Sequence, residues 1–197
     1  MNDKKSFQTL TWFVGGAFAV LLVGTLMAWF GVRNLPRPVS PLPSPIVTIP
    51  AQGQTQTYWL KDTGTRLELV AKPLALDPNL TPEQKLQQAF AEQLSNPALP
   101  TSTSNAIPPG TRLLDLKIKS DGIHLDLSAE FSQGGGSAAM IGRLAQVVYT
   151  ATSLNPDAAL WINVDGKPLE LLGGEGLMVD QPMTRQLMAE SLTEGEP

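Results

Sequence analysis

His124 is the only histidine among the 197 residues, so any imidazole chemistry must pass through it. Asp126 stands two residues on, on the same face of an alternating segment, where a carboxylate can orient an imidazole. A nucleophile would have to come from Ser128 or from elsewhere in the chain. No elbow motif surrounds that serine, and a histidine at a water-facing strand position equally serves as plain surface. Asp115, Asp126, Glu130, Asp165 and Glu170 offer material for an acid pair, yet carboxylates on the wet side of strands are ordinarily solvation. One histidine with scattered carboxylates has no metal-ligand spacing. The absence of cysteine removes disulfides, thiolate sites, cysteine nucleophiles and lipid attachment through cysteine. Gly134-Gly135-Gly136 lacks the Gly-Lys-Ser/Thr ending of a phosphate cradle and reads as a lead-in to a helix. No catalytic residue, cofactor, metal site or small-molecule substrate is expected from these patterns.

Aromatic residues carry a second kind of chemistry, that of contact. Strict alternation puts Trp161 on the face opposite Leu160 and Ile162, and puts Tyr58 and Trp59 on opposite faces of one strand. An outward Trp161, with one of Tyr58 and Trp59, would mark a partner surface. Alternatively, Trp161 is covered by the segment from Pro182 to Met188, with Arg185 docking that segment through a carboxylate or a carbonyl.

Charge narrows the partners. Of 14 Lys/Arg and 18 Asp/Glu, residues 1–55 hold Lys4, Lys5, Arg33, Arg37 and Asp3, which leaves 10 basic against 17 acidic residues in 56–197. A domain about seven charges negative repels phosphate backbones, so nucleic acid is not an expected partner.

From Leu10 to Val32 no residue is charged. A helix of that length spans roughly 34 Å, against a hydrocarbon core of about 30 Å. Trp12 and Trp29 fall near its ends, and the run is longer than the apolar region of a cleaved leader. The expectation is a single-pass anchor over 10–32 behind a short tail, 1–9, with the domain on the extracytoplasmic side of a cell membrane. Pro36, Pro38, Pro41, Pro43, Pro45 and Pro50 then favour an extended stalk over 33–55.

The elements that would position the polar residues follow. Thr57 to Leu60 and Thr65 to Ala71 read as a strand pair around Asp62-Thr63-Gly64. Thr81-Pro82-Glu83-Gln84 carries a cap, a first-turn proline and a capping-box closure, and Leu86, Ala89, Phe90 and Leu94 form one apolar stripe. Leu114, Leu116 and Ile118 alternate with charged residues, as do Ile123, Leu125 and Leu127. With Asp121-Gly122 as a two-residue turn, Ile118 is expected opposite Leu125, and Lys117 opposite Asp126. A second helix is expected from a Ser137 cap to about Ser153, and a second hairpin over Leu160 to Leu171 around Asp165-Gly166. The soluble domain is placed at 56–190, with a disordered tail over 191–197. Its expected class is α+β: two helices on a small, mostly antiparallel sheet with hairpins, preceded by one transmembrane helix.

The order of several short motifs resembles the GerM-type, or germane, domain of bacterial envelope proteins. The motifs are Ile107-Pro108-Pro109-Gly110-Thr111, Asp126-Leu127-Ser128-Ala129-Glu130-Phe131, Val164-Asp165-Gly166-Lys167-Pro168 and Pro182-Met183-Thr184-Arg185. The anchor and stalk look most like cyanobacterial members. The resemblance implies a sporulation-related family without a shared catalytic motif, whose domains bind partners or assemble. The expected function is therefore a non-enzymatic, membrane-anchored envelope module whose partner is an envelope protein or a further copy of itself. Peptidoglycan or another envelope glycan is the alternative ligand, and a hydrolase using His124 and Asp126 is a third reading.

Overall fold

The computed structural model describes residues 53–64, 66–95, 99–174 and 176–194. β1 (Gln56–Asp62) pairs antiparallel with β2 (Leu67–Pro73), Tyr58 opposite Ala71 and Leu60 opposite Leu69. Helix α1 (Pro82–Leu94) begins as its sequence requires. The Thr81 hydroxyl accepts from Gln84 N at 3.2 Å, and the Gln84 side chain accepts from Thr81 N at 2.9 Å. Its buried face is Leu86, Ala89, Phe90 and Gln93, with Leu94 only partly covered.

β3 (Leu113–Lys119), β4 (Gly122–Leu127), β5 (Leu160–Val164) and β6 (Lys167–Pro168) form a four-stranded sheet in that order. Between β4 and β5 come a short 3-10 turn at Ala129–Ser132 and helix α2 (Ser137–Ala151). β7 (Leu171–Leu172) and β8 (Leu177–Met178) make a small ribbon, and α3 (Arg185–Glu194) closes the domain.

The expected fold class needs two corrections. The sheet is mixed, because β4 and β5 run parallel, Leu125 beside Ile162. A helix between two strands returns the chain to its starting end, so the second strand enters in the same direction as the first. There are also three helices among the described residues. α3 is weakly signalled, since among its residues whose side chains are described Met188 alone is fully buried.

The transmembrane helix is the third point of difference. No helix among the described residues is long and apolar enough to cross a membrane. The longest, α2, has 15 residues, roughly 22 Å against a core of about 30 Å. The expected span 10–32 and stalk 33–55 lie outside the described residues. The single-pass anchor, the membrane as partner and the extracytoplasmic placement therefore have no support from the structure and are not carried forward.

Register differs from expectation within the first sheet hairpin. Lys119 pairs with Gly122, Ile118 with Ile123, Lys117 with His124 and Leu116 with Leu125, so Ser120-Asp121 is the turn. The slip is two residues, which keeps every side chain on its expected face. Gly122 is a strand residue at φ +140°, where an added Cβ would stand 2.4 Å from Ala159 O. That close approach lets Ile123 N donate to Ala159 O at 2.8 Å and start the β4–β5 pairing. In the second hairpin, Asp165 and Gly166 both take positive φ and close Val164 against Lys167, as the sequence predicts.

α2 is the centre of the domain. Eleven of its residues are buried, including Arg143, Gln146 and Thr150. A helix covered on nearly all sides must receive polar partners for such groups. Its N-cap is Gly136 rather than the expected Ser137, without a side-chain cap bond.

Candidate functional site

The outer face of the four-stranded sheet carries His124 and Asp126. His124 lies between Lys117 on β3 and Trp161 on β5. Its ring stacks on that of Trp161, with centroids 6.0 Å apart and planes 17° from parallel. His124 Nε2 is 3.0 Å from Asp121 Oδ1 in the preceding turn, so the histidine pairs with Asp121 and not with Asp126. An ionised carboxylate only accepts, which places the proton of that contact on Nε2. The bond from His124 holds the Asp121 carboxyl below its ordinary value.

Asp126 is used elsewhere. Its Oδ1 accepts from Gly166 N at 3.0 Å, tying β4 to the β5–β6 turn. Ser128 is buried and its Oγ accepts from Arg112 N at 2.9 Å, where it joins the loop before β3 to the end of β4. A hydrogen bond with Ser128, together with a backbone bond and the nearby Arg112 charge, lowers the Glu130 pKa. His124, Asp126 and Ser128 thus make three separate attachments and no relay. Among the described residues no group of three or more His, Asp or Glu side chains is placed to hold a metal ion.

The aromatic residues divide differently from expectation. Tyr58 is 1% exposed and Trp59 is 0% exposed, so neither offers surface. β1 carries buried side chains on both faces: Tyr58 meets Tyr149 edge to face at 5.4 Å, and on the other face Trp59 Nε1 donates to Thr57 Oγ1 of the same strand at 3.1 Å. Trp161 is half-buried, with its Nε1 enclosed and unpartnered. The segment after β8 runs beside β5: Leu160 and Met183 exchange backbone hydrogen bonds, and Gln181 bonds both Ile162 N and Ile162 O.

Sequence reasoning missed the polar residues that hold the interior. Gln93 and Gln146 both donate to Tyr58 O, and Gln146 also accepts from Ala106 N at 2.8 Å. At Tyr58 the second edge of β1 is thus satisfied by helix side chains, and at Leu60 by the backbone of Ser104. Arg143 donates to the carbonyls of Ala106, Phe131 and Gly134, and burial pushes its pKa down. The only available signal was that Arg143 and Gln146 interrupt an otherwise apolar stripe. Arg185 docks the C-terminal segment through Tyr149 O and Thr152 O, both carbonyls.

Among the described residues no strand pairs with the outer edge of β3, which stands at one end of the strand order. Its Leu114 and Ile118 are 47% and 43% exposed. Lys117 lies 3.6 Å from Asp115 and 3.4 Å from Glu83 of α1, and these carboxylates raise its pKa. Glu83 Oε2 also accepts from Ile118 N at 3.2 Å.

Comparison with known proteins agrees with this architecture. The first GerMN domain of the sporulation protein GerM from Bacillus subtilis is 22% identical, with a TM-score of 0.54 over 68% of this chain and 98% of that chain. The tandem GerMN domains of the same protein give 21% identity and a TM-score of 0.54 over 68% of this chain, which spans 46% of that longer chain. At such identity the likeness speaks for the fold. No curated protein matches. The cyanobacterial affinity expected from the anchor and stalk finds no support in these matches. A family model, Germane, described as sporulation and spore germination, matches residues 56–170. With that match over more than half its length, and with the mixed sheet and central helix in place, this chain belongs to the Germane family.

Proposed function

We propose that the domain is a non-enzymatic module that binds another protein or assembles with further copies of itself. The observation that carries this reading is the open edge of β3, with two exposed aliphatic side chains flanking the strand centre. Unpaired strand edges are templates for pairing with another chain. The groups suited to catalysis are spent on the frame instead, His124 on Asp121, Asp126 on Gly166 N and Ser128 on Arg112 N.

A photo-crosslinking residue placed at Leu114 or Ile118 of the full chain tests the reading in cells. Discrete protein adducts are expected from these positions and not from Lys167, an exposed residue of β6. Equal labelling from all three positions, or retention of the chain on cell-wall glycan without protein adducts, would sink the proposal.

A further inference from the structure

The β3 edge is self-complementary, and we propose that it pairs antiparallel with β3 of a second copy, centred on Leu116. This rests on the protein-interaction reading above and names the partner. Lys119 and Gly122 close the two-residue turn, and Ile123 N bonds towards β5. The antiparallel alternation therefore turns the backbone groups of Lys117 towards β4, and those of Leu116 and Ile118 towards the free edge. The bond from Ile118 N to Glu83 shows that this outward direction is real.

A two-fold axis at Leu116 puts Leu116 opposite its own copy, and Leu114 opposite Ile118 of the second copy. Asp115 then faces Lys117 of the second copy, and Lys117 faces Asp115 of the second copy. Both exposed aliphatic residues gain an apolar neighbour, and both charges on the outer face gain an opposite one. The register centred one residue further on sets Lys117 against Lys117 of the second copy, so like charge selects against it. Register shifts between Leu113 and Asp115, leaving Leu114 without a partner on β4, so the regular strand runs from Asp115 and the match ends at the Leu114 carbonyl. In the single chain, Glu83 holds Lys117 and the Ile118 N–H, as natural edges are commonly guarded. On pairing, the carbonyl of Leu114 of the second copy replaces Glu83 at that N–H.

The test uses charge exchange in the full chain, followed by sedimentation equilibrium over a wide concentration range. Asp115 and Lys117 are both exposed, and unchanged circular dichroism will verify that the variants fold. Wild type is expected to self-associate. Lys117→Asp and Asp115→Lys each replace both cross-copy attractions with repulsions and weaken association by about tenfold. An equimolar mixture of the two single variants restores it as a mixed pair, and the double exchange restores it within one species. A wild-type chain that stays monomeric overturns the proposal, while protein adducts from Leu114 and Ile118 would still uphold the broader reading with a different partner. Association that ignores all of these substitutions places the self-contact elsewhere and equally overturns the β3 register.

Discussion

The guanidinium of Arg185 lies 4.7 Å above the ring centroid of Tyr149, while its Nη2 donates to the carbonyl of the same residue at 3.1 Å. One side chain of α3 thus grips both the face and the backbone of the central helix. The Tyr58 ring, 5.5 Å from the same cation, completes the seat. Burial raises the Tyr149 pKa, against the opposing pull of the Arg185 charge. Arg185→Lys loses the planar fork while keeping the charge, and is expected to cost about 1–2 kcal/mol in urea unfolding; Arg185→Ala should cost about 2–3 kcal/mol. Equal stability of all three proteins would show that α3 is held by apolar contacts alone.

Arg143 should be more sensitive. It supplies three carbonyls in separate segments, at Ala106, Phe131 and Gly134, from within the buried helix. Arg143→Met keeps most of the volume but strands those acceptors, at an expected cost of about 3–4 kcal/mol. Chemical denaturation measures it. A loss below about 1 kcal/mol would mean that water satisfies the carbonyls just as well.

Gly122 tests the parallel pairing. Any side chain there meets the Ala159 carbonyl, and backbone cannot yield as a flexible side chain can. Gly122→Ala is expected to cost about 3 kcal/mol or more, with the loss of amide-exchange protection concentrated along β4 and β5. If protection instead fell uniformly and slightly, the close approach would not be what organises the sheet.

The Asp121 contact predicts an acid-side effect. A carboxyl whose folded-state pKa is depressed contributes stability above its unfolded pKa, and that contribution disappears as pH falls through the folded value. The window therefore lies below about pH 4. By NMR titration the Asp121 midpoint should fall below 3.8 in wild type and return towards it in His124→Ala. An unchanged midpoint in the variant would remove His124 as the cause. Because Asp121 stands in an exposed turn and His124 on the outer face of β4, the same variant should leave neutral-pH stability within about 0.5 kcal/mol.

Much of the local structure is legible in short windows of sequence. Thr81 and Gln84 mark the start of α1, Asp165-Gly166 marks a hairpin, and Ile123, Leu125 and Leu127 mark a buried strand face. These follow from rules acting within a few residues: cap bonds, positive φ and side-chain period. Even the misplaced β3–β4 turn kept the correct faces, because a two-residue slip preserves alternation.

Long-range pairing was not legible in the same way. Whether β5 joins β4 in parallel depends on where α2 delivers the chain, and on Gly122 admitting the Ala159 backbone. Tyr58 and Trp59 alternate as a half-exposed strand would, yet both are buried, Tyr58 against Tyr149 of the distant α2. Gln146 reads as a polar break in an apolar helix, but its partner is the carbonyl of Tyr58, 88 residues away. By itself, then, the sequence determined most of the elements and the faces of β3, β4 and α1, which are consequences of nearest-neighbour chemistry. The tertiary structure alone decided which strands pair, which polar groups enter the core and which strand edge stays open, since those free energies belong to contacts between residues far apart in the chain.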